Sequence, residues 1–445
     1  MSEAANGSTS YFDGEKLKPI QKRFLWLSAL CYVFDQMDLF TVSYVQPAVM
    51  KEWGLTMAHF AQINSIAMWG MFLGAITGGW FSDKIGRKKA LMISILVFSL
   101  SSIANGLSNS YEMFTVARFF TGFGLLAMVV IAMVYIAEMM PSENRGKYQA
   151  LTIACGTCGI PLGAQFARWV VPMGPESWRY VFILGGCGIF IFLLGFSWLK
   201  ESPRWLVSKG RVNEAEGIVE EIIGRRIDLS GEAKKVLKKS SNLEALKVMF
   251  SKAYRKRTVV LFILCIGVTL GAFYLNSFYT SMLQGVGFSL VLALTIATAG
   301  NWGVPLGDLS SSLISDRGGR KIPIVVFCFI AGISCILAGY ILIPSVLIVV
   351  SIIRNLTGGG SMSMFWTYLA ESYPTHIRAN ASGMLFGSVR VIAAMSMLTM
   401  PIVLDKYGWV GAHWVNALVF IIPALVALIW GEKTSRRTLE DLSAE

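Results

Sequence analysis

Residues Gly79–Lys88 read GWFSDKIGRK, and residues Ser312–Lys321 read SLISDRGGRK. The shared frame D-x-x-G-R-K sets Asp83 against Asp316, Gly86 against Gly319 and Arg87 against Arg320, at a spacing of 233 positions (316 less 83). A second frame, E-x-x-P-x-x-x-R, runs from Glu138 through Pro141 to Arg145 and again from Glu371 through Pro374 to Arg378. Its copies also lie 233 positions apart (371 less 138). Two separate motifs repeating at one interval mark an internal duplication, and a duplication constrains architecture more than any single element does. The chain reads as two related halves.

Outward from the motifs the sequence is strongly apolar. Of 445 residues, 54% are hydrophobic and 15% charged, with a mean hydropathy of +0.58. A water-exposed surface of this extent would need far more charge. Apolar runs of roughly 20 residues, the length that spans a bilayer core ~30 Å thick, fall near 24–47, 58–82, 89–107, 113–138, 147–171 and 179–199. Six more fall near 258–283, 288–314, 322–342, 345–370, 382–404 and 410–430. The expected fold is an all-α membrane protein with twelve transmembrane helices, arranged as two pseudo-symmetric six-helix halves. The divisions expected are a tail 1–23, a half 24–199, a charged linker 200–257, a half 258–430 and a tail 431–445.

The first twenty residues are polar and carry no apolar run with a cleavage site, so no secretory signal peptide is expected there. The net charge of +12 is placed asymmetrically. Basic residues gather at 16–23, 84–89, 145–147, 200–257, 317–321 and 433–437, all on one side of the predicted topology. The opposite loops hold little beyond Lys51, Arg168, Arg179 and Lys406. That asymmetry predicts a cell-membrane protein with both termini in the cytoplasm, and argues against a nucleic-acid partner.

The chemistry of an enzyme is not assembled. All seven cysteines fall in predicted spans, and the Cys155/Cys158 pair reads as small thiols packing in a helix. The three histidines, His59, His376 and His413, are scattered near helix ends, and no GK[ST] phosphate loop occurs. No cofactor or metal is expected.

In each half the first motif follows the second span and the second motif ends the fourth, on the side predicted to be cytoplasmic. Asp83 and Asp316 are placed to accept hydrogen bonds from neighbouring helix N-termini. Arg87 and Arg145 are placed to pair with acids across the helix ends, as are Arg320 and Arg378. With Gly86, Glu138 and Glu371, these residues are expected to form a cytoplasmic gate that latches and opens. Two six-helix halves bearing these motifs resemble the major facilitator superfamily over roughly residues 24–441. The resemblance implies a transporter, working as a monomer, that rocks one half against the other around a midplane site.

Charges inside the spans are the strongest pointers to function, because each costs ~2.5 kcal/mol or more in the bilayer. The first span contains Phe34-Asp35-Gln36-Met37-Asp38-Leu39. Residues three apart share a helix face, so Asp35 and Asp38 should point together into the bundle. At 1.5 Å per residue they lie about 16 and about 21 Å from the start of the span. Two carboxylates at that depth cannot both ionise cheaply, which suits them to bind a proton. Arg118, in the fourth span beside Gly122 and Gly124, is a candidate partner for Asp38. Protonating Asp38 would then free the arginine, coupling proton binding to helix movement. Arg354, Arg390 and Asp308 are further charges in the tenth, eleventh and eighth spans.

The D-x-x-D run looks like that of the aromatic acid:proton symporters, with Gln36 and Met37 where those carry Gly and Phe. Glu201-Ser202-Pro203-Arg204-Trp205-Leu206, and the tail Glu432-Lys433-Thr434 with Leu439-Glu440, resemble segments of sugar porters. For a sugar carrier the resemblance implies a Gln-Gln pair at Gly267 and Val268 and a Gln at Ile153. Sugar hydroxyls need several such amides, so an organic carboxylate is favoured as substrate. Arg390 is its expected charge partner, since a guanidinium holds a carboxylate with two bonds. Asp308, Tyr274, Asn276, Tyr279, Asn301, Trp302, Trp366 and Tyr368 are expected around it, as a group able to stack a ring. The expected function is proton-coupled uptake of a small organic carboxylate, aromatic acids being among the candidates, by alternating access. A sugar or polyol importer, or an exporter suggested by Gly159-Ile160-Pro161 and Gly163, are the alternatives.

Overall fold

The computed structural model describes residues 11–14, 16–229, 242–374 and 377–432. The described chain is helical. Ten helical stretches are long and apolar enough to cross a membrane, from Met57–Ile85 to Met400–Trp430. The first and eleventh spans complete a set of twelve. These two fall short in apolarity because they carry Asp35 and Asp38, and Arg378 and Arg390. Buried charge thus makes these two spans look least like membrane helices, although the fourth and tenth also bury Arg118 and Arg354.

Local chemistry sets where helices begin and bend. The fourth, Tyr111–Met139, starts where the Ser110 hydroxyl accepts the Met113 N–H at 3.2 Å. The eighth starts in the same way, Ser289 accepting from Leu292 at 3.3 Å. Pro19 and Pro344 sit in the first turns of the first and tenth helices, where a missing N–H is harmless. The first span, expected as one helix, is two: Pro19–Leu39 and Thr41–Trp53, interrupted at Phe40 just past Asp38. The seventh is likewise split, into Arg255–Phe273 and Tyr279–Gly285.

Close helix approach follows from the glycines noted in the fourth span. A Cβ on Gly124 would lie 2.6 Å from the backbone nitrogen of Phe98, and one on Gly122 would strike the carbonyl of Ala67. The fourth helix thus lies directly against the third and second, as small residues permit.

Three apolar clusters hold the molecule. One belongs to the first half and includes Trp205, Val219 and Ile222 from the linker helices Pro203–Ser208 and Val212–Ile223. Another belongs to the second half and takes in Ala245 and Met249 of the linker helix Asn242–Met249. Much of the charged linker 200–257 is therefore helical and packed against the bundles; residues 230–241 lie outside the described ones. The third cluster joins the halves on the face remote from the chain ends, with Phe40, Val45 and Phe182 from one and Phe273, Tyr279 and Trp409 from the other. There the rings of Phe40 and Phe273 stack at 5.6 Å. The Ser43 hydroxyl donates to the Asn276 carbonyl at 2.7 Å, and the Arg168 guanidinium to the Thr295 hydroxyl at 2.9 Å. This remote face is closed.

Candidate functional site

Asp38 and Arg118 form an ion pair at 2.9 Å with both side chains 2% exposed. The helix break at Phe40 ends the first helix beside Asp38. Across from the pair, the Phe182 ring lies 5.8 Å from the guanidinium carbon of Arg118. Such a pair survives burial because each charge solvates the other; losing either partner leaves the remaining charge in a medium that cannot. Asp35, one turn earlier and also buried, accepts a hydrogen bond at 2.8 Å from the Gln36 amide.

Arg390 is buried in the eleventh helix, Arg378–Met397, and makes no ion pair among the described residues. Its guanidinium carbon stands 5.1 Å from the Phe273 ring and 4.9 Å from the Phe386 ring. Its Nη1 reaches the sulfur of Met68, in the other half, at 3.9 Å. The groups within its electrostatic reach include Asp35 and Tyr32. Tyr32 also senses Asp308. Asp308 accepts from Ser363 and has one carboxylate oxygen without a hydrogen bond. Asp35, Asp308 and Arg390 thus all lie within electrostatic reach of Tyr32. Tyr32 itself escaped the sequence reading; a lone Tyr one turn before Asp35 carries no distinguishing signal.

The remaining expected lining groups divide. Asn276, Tyr279 and Asn301 line a pocket on the remote side, with Tyr44, Ser351, Arg354 and Asn355. Trp366 packs at a tilt on Phe386, with ring centroids 4.2 Å apart, and so backs the Arg390 site. Three others are elsewhere. Trp302 falls on one stripe with Leu306, Leu309 and Leu313, all exposed, as a lipid-facing surface of the eighth span requires. Tyr274 spends its hydroxyl on Thr399 at 2.8 Å. Tyr368 donates to the Glu432 carbonyl at 2.8 Å, at the end of the bundle near the C-terminus.

At the ends of the helices nearest the chain termini, the duplicated motifs meet. Arg87 donates to Asp83 at 2.7 Å and holds Glu138 with two bonds, at 2.9 and 2.8 Å. In the second half, Arg320 pairs with Glu371 at 3.1 Å. In the first half the acid at the helix N-terminus is not Asp83 as expected; the Asp316 side chain lies outside the described ones. Glu201 takes that place. Its carboxylate accepts the backbone N–H groups of Arg87 (2.7 Å) and Lys88 (3.1 Å), which open the third helix. Asp83 instead binds Arg87, and its carbonyl accepts the Trp205 indole N–H at 3.0 Å. Arg145, expected to pair with an acid, makes no ion pair among the described residues; Arg204, Asp13 and Glu138 lie within its electrostatic reach. Arg378 donates to the Tyr373 carbonyl at 3.3 Å. Glu432, at the end of the twelfth helix where Glu201 follows the sixth, pairs with Arg257.

Gly86 is required twice over. It has φ +104°, a conformation unfavourable to any side chain, and a Cβ there would collide with the Glu201 carboxylate. Gly86→Ala should therefore displace Glu201 and lower stability by about 1–3 kcal/mol. Glu201→Gln, which keeps the shape but loses the charge at the helix end, should cost about 0.3–1 kcal/mol. Thermal unfolding of the purified variants checks both; a Gly86→Ala protein as stable as the parent would remove the glycine from the latch.

Two pseudo-symmetric six-helix halves, closed around buried charges at their boundary, define a multi-pass membrane transporter. The Major Facilitator Superfamily model matches residues 28–397 and 314–444. YyaJ of Bacillus subtilis, a metabolite transport protein by name, is 32% identical over 95% of this chain and 95% of its own length. The niacin transporter NiaP of Acinetobacter baylyi is 26% identical over 94% of this chain and 95% of its own. The 4-hydroxybenzoate transporter PcaK of the same organism is 26% identical over 92% and 90%. Among solved structures, the xylose transporter XylE of E. coli, in a partially occluded inward-open conformation, matches with a TM-score of 0.77 at 18% identity. It covers 94% of this chain and 99% of that one. This chain belongs to the Major Facilitator Superfamily.

Proposed function

We propose that the protein carries a small aromatic monocarboxylate together with a proton into the cell. The observation that carries this reading is Arg390, a buried guanidinium set between two phenyl rings with no ion pair among the described residues. A ring-bearing carboxylate offers what that site lacks, an anion for the guanidinium and a π-face for Phe273 and Phe386. Relatives named for niacin, 4-hydroxybenzoate, gallate and benzoate transport agree with that chemistry.

In this reading Asp38 and Asp35 exchange the coupled proton. With Asp38 ionised, Arg118 is held in the first half; protonation releases it and lets the first helix shift relative to the fourth. Asp35, within electrostatic reach of Arg390, links the proton to the substrate anion. The clusters around Arg87 and Arg320 act as latches on the cytoplasmic face, which carries both termini, while the remote face is extracellular. The protein works as a monomer in the cell membrane.

A sugar is disfavoured by packing. Gly267, where the sugar-porter resemblance implies a glutamine, has no room for one: a Cβ there would lie 2.6 Å from Pro423 of the twelfth helix. Thermal unfolding of the detergent-purified protein with benzoate, 4-hydroxybenzoate, nicotinate, methyl benzoate and xylose tests the substrate class. A ligand that binds only the folded state raises its apparent stability. The free acids should raise the melting temperature and the ester and xylose should not; stabilisation by xylose alone would replace this reading with a sugar carrier.

A further inference from the structure

The second arginine pocket, on the remote side, has a different character from the Arg390 site. Arg354 is 2% exposed and is the second-half copy of Arg118, opening Arg354-Asn355-Leu356-Thr357-Gly358 as Arg118 opens Arg118-Phe119-Phe120-Thr121-Gly122. In the first half Asp38 neutralises the arginine. The position matching Asp38 is Gly271 at the 233 spacing of the motifs and Tyr274 at the 236 spacing of the two arginines, and neither is an acid. Arg354 makes no ion pair among the described residues, and its Nε and Nη1 have no hydrogen-bond partner.

The surrounding amides cannot supply the missing acceptor. The Arg354 Nη2 donates to the Asn276 side-chain carbonyl at 2.5 Å. The Asn276 amide donates to Asn355 at 3.1 Å, Asn355 to Asn301 at 3.4 Å, and Asn301 to the Tyr44 hydroxyl of the other half at 2.8 Å. Each side-chain carbonyl in this chain already accepts one hydrogen bond, and none accepts from the Arg354 Nε or Nη1. Left unpaired at the pocket are donors of the guanidinium, the Nε and Nη1 N–H groups, beside the Tyr44 hydroxyl that accepts from Asn301. A buried full positive charge with unpaired donors calls for an anion. The free space is about 10 Å³, room for the centre of one water-sized group.

We propose that this pocket is a second anion site, separate from Arg390, that takes one small monovalent anion: a halide, or a carboxylate that inserts one oxygen. Because Phe40, Ser43 and Tyr44 come from one half and Arg354 and the asparagines from the other, a bound anion ties the remote face shut. The site does not depend on the substrate or the proton coupling proposed above.

The test uses the purified full-length Arg390→Gln protein, so that the other arginine is silent, with and without Arg354→Gln. Chloride or acetate replaces the bulky sulfonate MES at constant ionic strength, and the melting temperature is recorded. The Arg390→Gln protein should show a saturable rise, and Arg354→Gln should move its half-saturation at least ~10-fold higher. Should the double variant not purify folded, Tyr44→Phe, which removes one donor, should raise the half-saturation about 3–10-fold. A response to chloride alone identifies a halide site, and a response to acetate a carboxylate site. No rise with either anion, or an unchanged half-saturation when the donors are removed, overturns the proposal.

Discussion

Asp38→Asn is expected to abolish proton-coupled uptake and, separately, to destabilise the protein by about 3–5 kcal/mol, the usual penalty for removing one partner of a buried ion pair. The two effects have one origin. Asn is close to Asp in shape but brings no charge, so Arg118 stays buried opposite a neutral amide, with its own Nε already lacking a hydrogen bond. The double variant Asp38→Asn/Arg118→Met removes both charges and should recover most of the stability, since a neutral pair needs no mutual solvation. It should recover none of the coupling. Chemical unfolding of the purified variants measures the first effect and uptake with and without a protonophore the second. If the double variant is as unstable as the single one, the pair does not behave as a mutually solvating unit.

Arg390→Gln should have the opposite signature: little loss of stability and a large loss of substrate affinity. The guanidinium makes no ion pair among the described residues, so its removal breaks no direct salt bridge; Phe273 keeps its place on the seventh helix and Phe386 on the eleventh. What is lost is the charge-assisted pair with the incoming carboxylate. Two such bonds at about 1.5–3 kcal/mol each correspond to an affinity loss of at least ~100-fold. Arg390→Lys should recover only part of it, because an ammonium cannot offer the planar two-bond fork. Binding measured by substrate-induced thermal shift checks this. An Arg390→Gln protein that binds benzoate as tightly as the parent would move the carboxylate site elsewhere.

Much of this was legible in the sequence because the signals were local or repeated. The duplicated D-x-x-G-R-K and E-x-x-P-x-x-x-R frames gave the two halves, and the run of apolar segments gave the twelve spans. Asp38 and Arg118 stood out as opposite charges inside spans, each of which needs a partner in lipid. The rotational setting of each helix was harder to read. In a water-soluble helix the polar face marks the outside, but a membrane helix is apolar on both its lipid-facing and its packed faces. That is why Trp302 was grouped with Asn301, although the one looks out to lipid and the other into a pocket. Tyr274 and Tyr368 were grouped with the site for their chemistry, yet Thr399 and the Glu432 carbonyl claim their hydroxyls.

The latch shows a second kind of limit. Asp83 stands in the duplicated motif and Glu201 lies 118 residues further on (201 less 83), beyond the linker boundary assigned from the sequence. Only the folded bundle brings Glu201 over the N–H groups of Arg87 and Lys88. The break at Phe40 was hidden in the same way: no proline or glycine marks it, and Pro47 lies inside the following helix. The interruption is stabilised by tertiary contact, the ring of Phe40 stacked on Phe273 of the other half.

The central claim is that an acid buried in the first helix carries the proton that accompanies the substrate. Proteoliposomes loaded with a pH-sensitive dye measure it directly, when benzoate or the acid that best stabilises the protein is added outside under an inward proton gradient. With the parent protein, the interior should acidify in step with substrate entry, and a protonophore should abolish accumulation. With Asp38→Asn, neither gradient-driven accumulation nor coupled acidification should remain. Accumulation by Asp38→Asn that still carries protons would contradict the account.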